Sequence, residues 1–238
     1  MIGDSWSMFH NNLNRDSVLR AMLQKRINVP VKVRSRGKGG ANSKEIYYYM
    51  FSSRTIESEH EPDRCTQPLL EEHPDYCLIS AGINDACQGK GTDFYCKNYL
   101  KILRLLLHNH IRPVVLELPT VVGGGRFKVY VNDLLTDRRG YIIHKVKIRI
   151  GYKLASWYNH VQLDDVTEYR ERLKNELESR GLMDSVVYIS NAAWNPDGYL
   201  DKRDIYTEDG THLNLNGYDI LDSCYADMIS KDYKKHIK

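Results

Sequence analysis

No run of about 18 consecutive apolar residues occurs in this 238-residue chain, so no segment is expected to span a membrane. Nor does a basic stretch followed by an apolar one mark a secretory leader, and as written the chain reads as soluble and cytoplasmic. Charge of one sign is not in excess: 34 basic residues face 31 acidic ones for a net +3. That mixing excludes the clustered basic face of a nucleic-acid binder. Cysteine is sparse and odd in number (Cys65, Cys77, Cys87, Cys96 and Cys224), with no Cys-x-x-Cys pair. Its spacing therefore encodes neither a disulfide framework nor a zinc site, and free, buried thiols are expected. Internal repeats and low-complexity tracts are missing too, which leaves a globular chain with 42% apolar content and one core. A single domain over residues 1–238 is the expectation.

What is present is an alternation of extended and helical segments. In "INVPVKVRS", Val29, Val31 and Val33 alternate with polar neighbours, as in a strand, and the segment ends in the breaker cluster "RGKGGANS". "DYCLISAG" is a short apolar run closed by glycine, and "NYLKILRLLLHNHI" places Leu100, Leu103, Leu106 and Leu107 at helical spacing, with Pro113 as its expected stop. "VVLEL" and "SVVYIS" read as strands, "VTEYRERLKNELESRG" as a surface helix stopped by Gly181, and "NGYDILDSCYADMISKDY" as the last helix. Strands separated by helices predict a parallel sheet covered on both faces, a three-layer α/β/α sandwich.

Ligands of such sheets bind beyond the carboxyl ends of the strands, so the loops there are the places to look for chemistry. Four stand out: Gly3-Asp4-Ser5, Gly37 through Asn42, Gly82-Ile83-Asn84-Asp85, and Asp209-Gly210-Thr211-His212. Each by itself also reads as an ordinary turn or helix cap. Together they provide what acyl transfer at a serine requires: a hydroxyl, a base, a group that orients the base, and donors for an oxyanion. Ser5 is the candidate nucleophile, His212 its base and Asp209 the carboxylate holding the imidazole. Oxyanion donors are the backbone N–H groups of Ser5 and Gly40 and the side-chain amide of Asn84.

The blocks "IGDSW", "RGKGG", "GIND" and "DGTHLN" resemble, in that order, those of the SGNH hydrolases, the GDSL-type esterases and lipases. They extend from residue 2 to residue 214. The resemblance implies a flavodoxin-like five-stranded parallel sheet and ester hydrolysis through an acyl-serine intermediate, with neither metal nor cofactor. The family usually has Ser before the oxyanion glycine where this chain has Gly39, so Gly39 stays beside Gly40 as a candidate for that position or for substrate contact. The family also reaches its serine from a strand of several apolar residues, and here only Met1 and Ile2 precede Gly3. Either the natural chain begins further upstream, with an export signal and a periplasmic or secreted location then open, or the first strand is a stub and the sheet is less stable.

Residues 120–163 exceed what a strand-to-helix loop needs, and a lid or substrate-binding insertion is expected there, with an extra surface hairpin as the alternative. Trp6 beside the nucleophile and Trp157 in the insertion suit stacking on sugar rings. A short acyl group such as acetyl on a carbohydrate is the first-choice substrate. Lysophospholipid or thioester hydrolysis, or acyl transfer to a sugar, would use the same residues; a carbohydrate-binding relative without catalysis is the alternative of another class. Asp4 is expected to brace the nucleophile loop and Asp85 to cap the helix that follows it. His108, His110, His144 and His160 have no metal-ligand spacing.

Overall fold

The computed structural model describes residues 1–51, 66–119, 166–194, 205–207 and 212–236. Its elements, in chain order, are β1 (Ile2–Gly3), α1 (Ser5–Asn12), α2 (Arg15–Ile27), β2 (Arg36–Gly37), α3 (Ser43–Tyr49), α4 (Gln67–Glu71), β3 (Tyr76–Ser80), α5 (Ile83–Cys87), α6 (Thr92–His108) and β4 (Arg112–Leu116). There follow α7 (Val166–Ser179), a 3-10 turn at Met183–Ser185, β5 (Val187–Ile189), α8 (Asn191–Trp194) and α9 (Leu215–His236). The five strands form one parallel sheet in the order β2-β1-β3-β4-β5. Helices α1, α2 and α9 pack together on one side and α3, α5, α6 and α7 on the other, so the expected three layers are present. The 120–163 insertion, Trp157 and Cys65 lie outside the described residues.

Helix faces explain the layers. Tyr95, Tyr99, Ile102, Leu103 and Leu106 recur at helical spacing along α6, and none is more than 1% exposed. On α9, Tyr218, Leu221, Tyr225 and Ile229 form the equivalent stripe. The α1–α2–α9 side also holds a buried polar clasp. His10 Nδ1 lies 2.8 Å from Asp16 Oδ1 and its Nε2 2.9 Å from Asp222 Oδ1. The Arg15 guanidinium donates to Asp222 through Nε and Nη2 at 2.9 and 2.7 Å, and Ser35 N–H donates to Asp16 at 2.8 Å. Burial pulls the His10 pKa down, but the bonds to Asp16 and Asp222 prevail and hold it above its ordinary value.

Three expectations about the sheet need correction. Residues 28–35 do not pair as a strand, Asn28 being the left-handed cap of α2, and only Arg36–Gly37 joins the ladder, because β1, their would-be partner, is itself two residues long. Pro113 does not end a helix: α6 stops at His108, and Pro113 lies inside β4, paired in register with Cys77. It is tolerated there because Arg112 N–H turns to Asp75 on the β3 side, so alternation points position 113 toward β5, whose pairing begins only at Val114. Asp85 caps a helix other than the expected one, as its contacts show below.

The stub of β1 leaves a mark on the fold. Beyond Met1, between β3 and the extended 29–34 segment, lies a groove of about 560 Å³ lined by Leu19, Leu23, Val31, Val33, Leu69 and Leu78 among others. The Met1 amine sits at its edge and donates to Arg34 O at 2.6 Å. Burial pulls the pKa of that amine below its ordinary value. This groove is at the amino end of the strands, opposite the end that carries Ser5.

Candidate active site

At the carboxyl end of β1 the backbone has little room. Gly3 has φ +150°, and a Cβ there would lie 2.0 Å from Ser80 O. Glycine is therefore required where the chain leaves the sheet. Asp4 follows as the N-cap of α1: its Oδ1 accepts from Trp6 N–H at 3.0 Å and from Ser80 Oγ–H at 2.6 Å. The cap puts Ser5 at the first helical position, half-buried, among N–H groups that have no partner within the helix. Burial raises the Asp4 pKa to about 6, against the lowering effect of those hydrogen bonds. Its bracing role is as expected from the sequence.

His212 arrives from the opposite end of the chain, its Nε2 2.9 Å from Ser5 Oγ. A short antiparallel pair holds its backbone. Tyr206 bridges Leu213, Thr207 N–H donates to His212 O at 2.8 Å, and Asn214 N–H donates to Ile205 O at 3.1 Å. Asn214 then caps α9 by accepting from Gly217 N–H at 2.9 Å, while its amide donates to Tyr206 O at 3.1 Å. The imidazole itself meets the ring of Phe9 edge to face, with centroids 4.9 Å apart.

The loops after β2 and β3 are tied to each other. Gly37 touches the loop that carries Ser5 so closely that a Cβ would lie 2.3 Å from Asp4 O and 2.7 Å from Met8 N. Next comes a turn closed by Ala41 N–H to Lys38 O at 3.2 Å, with Gly40 at φ +78°. Asn84 Nδ2 donates to Ala41 O at 3.0 Å, and Gln88 Nε2 to Gly40 O at 3.0 Å. Asp85 accepts from Ser43 N–H at 2.8 Å and Ser43 Oγ–H at 2.5 Å, so it caps α3 across the loops and not its own helix. Burial raises its pKa to about 6.

Thus the structure brings Ser5 and His212 into contact and gathers the Gly40 and Asn84 loops at the same sheet edge. Gly39 is exposed, 3.5 Å (from an added Cβ) to Met8 Cε. Asp209 lies outside the described residues. Trp6 differs from expectation: it is 1% exposed, its ring meets Trp194 at 6.1 Å, and its carbonyl accepts from Tyr218 Oη–H at 3.0 Å. It packs in the core because the first turn of α1 directs residue 6 inward when Ser5 faces out, so it offers no face to a sugar. Sequence reasoning did not single out Phe9 or Asn214; the Asn214 cap was legible in its place just before the last helix. Among the described residues, no group of three or more His, Cys, Asp or Glu side chains is arranged to hold a metal ion.

The model of a family described as GDSL-like lipase/acylhydrolase matches residues 1–220. No curated protein matches the sequence. Among solved structures, a lipase/acylhydrolase from Enterococcus faecalis is similar with a TM-score of 0.57 at 13% identity, over 97% of this chain and 94% of that one. A GDSL-like lipase from Bacteroides thetaiotaomicron gives 0.54 at 16%, over 97% and 86%. A catalytic mutant of an acetylxylan esterase from Geobacillus stearothermophilus gives 0.53 at 14%, over 90% and 79%.

Proposed function

This chain belongs to the GDSL-like lipase/acylhydrolase family and is an ester-hydrolysing enzyme, and we propose that Ser5 is its nucleophile, acting on a short acyl group such as acetyl carried by a carbohydrate. The observation that carries the reading is the 2.9 Å separation of His212 Nε2 and Ser5 Oγ, two residues 207 positions apart. Hydrogen-bond reach between a hydroxyl and an imidazole is the geometry of an activated nucleophile.

The steps follow from it. His212 takes the Ser5 proton as Oγ attacks the acyl carbon, and the carbonyl oxygen gains the negative charge. Ser5 N–H at the start of α1, Gly40 N–H and the Asn84 amide are the donors assigned to that oxyanion. Asn84 has two amide hydrogens, and the bond to Ala41 O occupies one. His212 next protonates the departing alkoxide, leaving an acyl-serine; a water activated by the same imidazole attacks it and restores Ser5. Asp209 is assigned to hold Nδ1 of His212 through these proton transfers. No cofactor enters any step.

Two things favour a short acyl group. One of the similar structures is a mutant of an acetylxylan esterase, and the apolar groove of about 560 Å³ lies at the other end of the sheet, where it cannot receive an acyl chain attached to Ser5. The test is hydrolysis of p-nitrophenyl acetate, butyrate and octanoate and of acetylated xylo-oligosaccharide, with a fluorophosphonate probe and peptide mapping. Turnover highest on acetyl, labelling at Ser5, and a loss of at least ~10³-fold in Ser5→Ala are expected. A preference for octanoate would overturn the acetyl assignment, and labelling elsewhere would overturn the nucleophile.

A further inference from the structure

The hairpin that carries His212 fixes its backbone, but the imidazole plane depends on what the ring touches. Ser5 and Phe9 are four residues apart on α1, one helical turn, so both side chains leave the same face of the helix. Both meet His212: Ser5 Oγ at Nε2, 2.9 Å away, and the Phe9 ring edge to face, with centroids 4.9 Å apart and planes at 76°. That separation and angle are those of a favourable aromatic pair. Phe9 is half-buried and backed by the core, so its own ring has a fixed support.

We propose that Phe9 is a positioning residue for the reaction: it holds the His212 imidazole in the plane that aligns Nε2 with Ser5 Oγ. The inference rests on the assignment of Ser5 and His212 under Proposed function. A helix register that presents nucleophile and ring brace together has a clear physical effect. Any movement of α1 carries Ser5 Oγ and the Phe9 ring together, so the two groups that meet His212 keep their places relative to each other. Besides Ser5 at Nε2 and the Asp209 carboxylate assigned to Nδ1, Phe9 flanks the imidazole and opposes its turning about χ2. Because Phe9 touches the base and not the reacting atoms, its removal acts on the fraction of enzyme with an aligned base. That fraction enters kcat, while substrate affinity is set elsewhere.

The test uses the full chain with Phe9→Leu, which keeps apolar bulk and removes the ring, and Phe9→Tyr, which keeps the ring. Wild type and Ser5→Ala are run alongside on p-nitrophenyl acetate, with the fluorophosphonate labelling rate and thermal midpoint recorded for each. Expected for Phe9→Leu is a fall of about 3- to 10-fold in kcat and in labelling rate, the kinetic equivalent of one aromatic pair, with KM within about twofold. Phe9→Tyr restores both rates. A Phe9→Leu enzyme with wild-type kcat overturns the proposal, as does a loss that Tyr does not restore or one confined to KM. If wild type neither turns over nor labels at Ser5, the nucleophile assignment fails and Phe9's role fails with it, a result distinct from an active wild type indifferent to Phe9.

Discussion

An engineered amino-terminal extension should stabilise this protein by filling the groove beyond Met1. Pairing between β1 and β3 starts at Ile2 with Ile79, although β3 extends back to Tyr76. Asp75 O accepts from the β4 side and Ser80 O from Asp4 on the β1 side, so alternation along β3 turns Tyr76 and Leu78 toward the groove. An added strand of five Val and Ile residues joined to Met1 would offer these two residues about three new ladder bonds. At a net ~0.5–1.5 kcal/mol each, with about four side chains buried at ~1.5–3 kcal/mol, the gain is roughly 7–16 kcal/mol. Ordering five residues costs ~1–2 kcal/mol apiece, which leaves a net of about 2–6 kcal/mol with low paired to low and high to high, and the lower end corresponds to at least ~4 °C for a chain of this size. A Gly-Ser extension of equal length is the control.

The buried Met1 amine supplies a second readout. Its folded pKa is lowered from 8.0 by burial, so the unfolded chain binds the extra proton between the two values. Stability should therefore climb as pH rises toward about 8 and level off above it. Either extension converts that amine to an amide and removes the climb. The assay is urea unfolding followed by fluorescence across this range, with thermal melts in parallel. Equal midpoints for the Val/Ile and Gly-Ser extensions would refute the claim that the groove accepts a strand.

Other outcomes follow from single contacts. Gly37→Ala forces a Cβ to 2.3 Å from Asp4 O, and should cost about 1–3 kcal/mol in unfolding free energy and lower kcat, since the displaced atom belongs to the loop that carries Ser5, the proposed nucleophile. Asp222→Ala removes one wall of the His10 clasp and leaves the Arg15 guanidinium without its buried partner; a loss of about 3–5 kcal/mol is expected by urea unfolding at neutral pH. Asp4 has its folded pKa raised from 3.8 to about 6, so the native state binds the extra proton between these values and stability falls as pH rises through them, by roughly 3 kcal/mol. Asp4→Asn should flatten that part of a stability-against-pH curve, and an unchanged slope would place the titration elsewhere.

Much of this protein was legible in its residues because local rules act over short distances. The leucine spacing of α6, the Gly181 stop after α7, the buried runs that became β3, β4 and β5, and the order of the four motif loops all follow from periodicity and turn chemistry. These suffice for a parallel α/β sheet with a serine, an asparagine and a histidine in loops at one edge. The sequence could not say whether Val29, Val31 and Val33 would pair, since a ladder needs a partner and β1 is too short to be one. It could not assign Asp85 to Ser43, which meet only when the loops after β2 and β3 come together, or bring His10 between Asp16 and Asp222, which meet only when α1, α2 and α9 pack. Trp6 beside Ser5 was expected to stack on a sugar, and one step around the helix sent it into the core. Composition and motif order determined the kind of chemistry; the 2.9 Å between Ser5 and His212, and the edge-to-face contact of Phe9 with His212, were decided by tertiary packing, which alone brings together groups that the chain separates by some two hundred residues.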